Sequence, residues 1–204
     1  MGTALEIAMP DAIRRVRRVQ AITIVWMSVE AVVSLFAAWR ARSPALLAFG
    51  GDSAIELLSA GVVLWSFNAA QHHAKHRASQ IAGVLLFLLA VYVVAASVIA
   101  LLGYSESEPT LLGIAILIAA AAIMPWLAKE KRLLSAATRS AALRADAAQS
   151  GLCAYFSLIA LVGLAVNAIW HVAWADPVAA LVIGPFVIWE GRREAIRCKA
   201  CGCC

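Results

Sequence analysis

Apolar residues gather in six windows along the chain, at 21–39, 44–67, 80–102, 111–127, 147–170 and 175–189, with polar and charged residues between them. A helix needs about 20 apolar residues to cross the hydrocarbon of a bilayer, so this pattern predicts six membrane-spanning helices. The last window is short, and Pro125 and Pro185 interrupt the fourth and sixth. Membrane helices accept such breaks where neighbouring groups satisfy the freed backbone. No repeat, linker or long polar tract divides the sequence. It reads as one all-α bundle over residues 1–191, followed by a short tail over residues 192–204.

Composition narrows the class. Of 204 residues, 63% are hydrophobic and 14% charged, with a mean hydropathy of +0.85, which excludes a soluble globule. The net charge of +5 does not point to nucleic acid, because the basic residues form short clusters beside the apolar windows, where anionic headgroups and insertion topology place them. Of the 17 Lys and Arg residues, all but Arg40 and Arg42 fall on the side of the termini. The positive-inside rule then puts both termini in the cytoplasm, in a multi-pass protein of the cytoplasmic (inner) membrane. Glu30 stands at the centre of the first window and no cleavage signal accompanies it, so the pattern is not that of a removable leader.

Ionisable groups within the windows are costly unless they face a partner or a cavity, which makes them the informative letters. In the second window Asp52 and Glu56 are four apart, so a helix stacks both carboxylates on one face. Two like charges there are compatible when a cation or protons neutralise them. A hydrogen-bonded pair joining helices is the alternative. In the fifth window Asp146, Gln149 and Cys153 form one stripe at i, i+3 and i+7. Carboxylate, amide oxygen and thiolate can all bind a divalent ion, whereas separately they also serve as a helix N-terminal acid, interhelical glue and a small core residue. Glu30 is expected to hydrogen-bond a neighbouring helix or to carry a proton, and Asn167 to bridge helices.

These residues carry a resemblance. Asp52-Ser53-Ala54-Ile55-Glu56 followed by Leu57-Leu58-Ser59-Ala60, Ala145-Asp146-Ala147-Ala148-Gln149-Ser150, and Trp174-Ala175-Asp176-Pro177 resemble, in order, motifs of the second, fifth and sixth spans of the cation diffusion facilitator family. The resemblance implies a proton-coupled exporter of zinc-like or softer divalent cations, with two metal ligands from each of spans two and five. Asp52 and Glu56 match the span-two pair. Gln149 stands where the family has His, and Cys153 where it has Asp. Gln is a poor zinc ligand and thiolate a good one, so either Asp146 helps complete the sphere or the preferred metal differs from zinc. No resident cofactor is implied: the metal ion is cargo, and protons and lipid are the other partners. The family's cytoplasmic domain, which supports dimerisation, has no counterpart in this sequence, so a homodimer by that route is not assumed.

Two further clusters are candidate accessory metal sites. His72, His73 and His76 lie in the loop before the third window, with His72 and His76 four apart, and could equally be a solvated basic loop. Cys198, Cys201, Cys203 and Cys204 crowd the tail, where thiolates would capture soft metals. A non-transporting membrane protein that buffers or senses metal is therefore the alternative function. An embedded enzyme is disfavoured, since no nucleophile stands beside a histidine base and no phosphate-binding glycine loop occurs.

Overall fold

The computed structural model describes the backbone of residues 3–68, 72–104, 106–138 and 141–200, and the side chains of 14–58, 84–104, 106–137, 143–144 and 146–189. Six helices follow in order: α1 (Thr3–Ala41), α2 (Pro44–Asn68), α3 (His72–Leu101), α4 (Leu111–Thr138), α5 (Ala141–Trp170) and α6 (Ala175–Ala200). Among the described residues, Arg14–Ala41, Val84–Leu101, Leu111–Ala137 and Asp146–Trp170 are long and apolar enough to span a membrane, and Ala175–Trp189 is a shorter apolar helix. Several helices outrun their apolar windows. α1 carries the Arg14 to Arg18 cluster as a continuation of its first span, and α4 and α6 pass through Pro125 and Pro185 without breaking. Each proline forfeits one backbone bond, which the packed neighbours of a bundle tolerate.

The packing follows the hydrophobic pattern. α4 lies against α5, α3 against α6, and α1 against α2, while α2 also meets α3, α6 and α5. One core joins Leu46 and Phe49 of α2 to Val93, Leu117, Phe156, Leu164 and Ile183; a second, around Met27, Met124, Leu127 and Cys153, joins α1, α4 and α5. α3 turns Phe87, Leu88, Val91 and Tyr92 outward, the arrangement a lipid-facing helix requires. Small residues set the closest approach. A Cβ on Gly50 would stand 2.8 Å from Ser34 Cβ and 3.1 Å from the Leu35 nitrogen of α1, so this glycine draws α2 onto α1 two residues before Asp52.

Polar side chains close the helix ends. Ser43 accepts the Leu46 N–H (3.1 Å) and donates to the buried Asp176 of α6 (2.7 Å), capping α2 and tying it to α6 in one residue. Asn167 donates to the carbonyl and hydroxyl oxygens of Ser107 (2.8 and 3.2 Å), so it bridges to the α3–α4 connection and not to a helix. His171 takes φ 57° where α5 ends, a left-handed stop that follows a helix C-terminus. Trp39, Trp126, Trp170, Trp174 and Trp189 are exposed, as an interfacial belt expects.

Candidate metal centre

α2 presents Asp52 and Glu56 one turn apart, and α5 crosses it so that Cys153 meets both. The Cys153 Sγ lies 3.9 Å from Asp52 Oδ2 and 3.8 Å from Glu56 Oε2, and one ligand atom from each of the three falls within 4.8 Å of the others. In a tetrahedral site with bonds of about 2.0 Å to oxygen and 2.3 Å to sulfur, neighbouring ligand atoms are about 3.5 Å apart. The two sulfur–oxygen distances exceed that spacing by only a few tenths of an ångström. Asp52 and Cys153 are buried and Glu56 is half-buried, which gives the cluster its low-dielectric setting. Gln149, four residues before Cys153, is half-buried on the same face of α5.

The pair on α2 is supported from behind. Glu30, fully buried on α1, accepts hydrogen bonds from Ser53 on α2 and from Trp26 Nε1 (2.7 Å). Glu30 thus takes the interhelical role its mid-span position suggests, and it holds α1 beside the residue adjoining Asp52. The glycine contact at Gly50 and the Glu30–Ser53 bond together fix the rotation of α2 about its axis.

Asp146 does not join the other three. It lies seven residues before Cys153, about 10 Å along the helix, and its carboxylate is already engaged. Lys131 Nζ of α4 donates to Oδ1 (2.9 Å) and Gln20 Nε2 of α1 to Oδ2 (2.7 Å). Lys131 also donates to Ser150 (2.8 Å). The five-residue donor set therefore divides into a cluster of Asp52, Glu56 and Cys153, a flanking Gln149, and a separate ion-paired Asp146. Lys131, which the sequence counts among the basic residues that set topology, is buried, and Asp146 on the adjacent helix supplies the charge that permits its burial.

The backbone at His72, His73 and His76 begins α3, but their side chains lie outside those described. Cys198 falls in the final turns of α6 with its side chain likewise outside, and Cys201, Cys203 and Cys204 lie outside the described residues. At the opposite end of the bundle from the α4–α5 connection, Glu106, Glu108 and His171 line an open depression together with Arg42.

Comparison with protein families decides the class. The profile described as the cation efflux transmembrane domain matches residues 21–198. The chain belongs to the cation efflux family. A search of the curated proteins finds no match. Membership makes this cation efflux protein an integral membrane protein with metal cations as its substrates, and places the α2–α5 cluster in a transport domain.

Proposed function

We propose that this cation efflux protein exports divalent cations of borderline to soft character, such as zinc or cadmium, from the cytoplasm in exchange for protons, and that Asp52, Glu56 and Cys153 hold the ion. The observation that carries the reading is the convergence of two acids from α2 and one thiol from α5 within 4.8 Å, in the interior of the bundle. Thiolate selects against magnesium and calcium, which prefer oxygen ligands, and Gln149 stands one turn away as a neutral oxygen donor. When the ion departs, two carboxylates one turn apart would repel in a low dielectric, so protons take its place. That exchange supplies the coupling: metal and protons occupy the same carboxylates in turn. The distribution of Lys and Arg orients the bundle with both termini in the cytoplasm.

Flux across reconstituted vesicles tests this reading. With an outward-directed proton gradient, zinc or cadmium is expected to accumulate in the lumen and to acidify the medium as it enters. Metal uptake that ignores the gradient would sink the proton coupling, and binding without any flux would favour the buffering or sensing alternative.

A further inference from the structure

Lys131 is the largest charged side chain that the described bundle buries completely. Its ammonium sits between Asp146 Oδ1 at 2.9 Å and Ser150 Oγ at 2.8 Å, both on α5, while Gln20 of α1 holds the second Asp146 oxygen. Helix adhesion alone is a weak reason for such a group, because apolar residues of similar volume join helices as well or better than a buried ion pair. The setting has two further properties. The Asp146 side chain keeps 34% of its surface exposed while Lys131 keeps none, so the carboxylate reaches solvent on one side and a cation on the other. And Asp146, Gln149, Ser150 and Cys153 share one face of α5, so this place stands where the stripe that leads to the central cluster meets the surface.

We infer that the oxygen-lined place between Asp146, Ser150 and Gln20 is a second site for the divalent cargo, held in the metal-free protein by the tethered ammonium of Lys131. This rests on the metal-transport reading and deepens it. Carboxylate oxygen is a zinc ligand, and hydroxyl and amide oxygens with water complete the donor set for a partly hydrated ion, while the Gln20 amide needs only to turn to offer its oxygen in place of its NH₂. A lysine suits the role of placeholder. Its ammonium is a point charge on a flexible four-carbon stem and can leave, whereas an arginine fork would grip the carboxylate with two parallel bonds. The arriving ion displaces one charge, the ammonium moves off along its stem, and no bond is made or broken apart from coordination.

Equilibrium dialysis against zinc(II), with metal counted per chain, tests the site in full-length protein. The parent is the Asp52→Asn/Glu56→Gln chain, so a gain cannot come from the central cluster. Adding Lys131→Met, or independently Lys131→Gln, is expected to raise the count by one zinc per chain, and adding Asp146→Asn to the Lys131→Met chain should remove it again. Both lysine variants matching the parent would overturn the inference and leave the ion pair a structural contact. A gain that survives Asp146→Asn would overturn it as well. Failure of the central cluster shows up separately, as an equal count in the wild-type protein and the parent.

Discussion

Neutralising either carboxylate of the α2 pair is expected to stop transport while leaving the bundle folded. Asp52→Asn and Glu56→Gln preserve volume and remove a ligand charge. Loss of groups one shell further from a metal already costs about 10- to 100-fold in affinity or activity, so loss of a direct carboxylate should lower zinc flux by about 100-fold or more. The fold has no reason to follow. Asp52 is buried, and a neutral amide in its place relieves a costly charge inside the bundle. Vesicle flux and circular dichroism on the same preparations separate the two effects. Wild-type flux in both variants would move the ion path away from α2.

The second large effect lies in metal preference. Cys153 is the one soft donor in the cluster of three, and Gln149 is a neutral, weak donor one turn away. Cys153→Asp combined with Gln149→His puts oxygen and imidazole where sulfur and amide stand, and should shift preference from cadmium towards zinc by at least about tenfold, equal to about 1.4 kcal/mol. Competition flux with both ions present reads the ratio directly. An unchanged ratio would mean that these two side chains line the helix interface and leave the ion to other groups.

Much of the fold was legible because lipid imposes one simple rule, that backbone groups must be satisfied within a helix. Six apolar windows became six helices. Their ends were less legible, because α1, α4 and α6 continue into polar sequence that hydropathy does not mark as helix, and Pro125 and Pro185 warn of breaks that neighbouring helices make unnecessary. Within the candidate site, the four-residue spacing of Asp52 and Glu56 announced a shared face, and the α5 stripe announced Cys153. The separation of Asp146 from that cluster was not announced by the stripe, since spacing along one helix says which residues share a face but not what stands opposite each of them.

A signal for the missing partner did exist. α4 and α5 form an antiparallel hairpin whose connection lies at residues 139–140, and Lys131 and Asp146 are placed almost symmetrically about it. Opposite charges at nearly mirrored positions of a helical hairpin stand at the same level, and they pair when both lie on the contacting faces of the two helices. Gln20 and Ser53 had no such marker: polar, uncharged residues are common near span ends and within helices, and only the three-dimensional arrangement shows Gln20 on Asp146 and Ser53 on Glu30.

A crystal of the protein grown with cadmium tests, through anomalous scattering, where the cargo ion binds. The expected map has a peak between Asp52, Glu56 and Cys153, within bonding distance of the sulfur and of the carboxylate oxygens. A cadmium-loaded crystal with no peak among those three side chains would contradict the account.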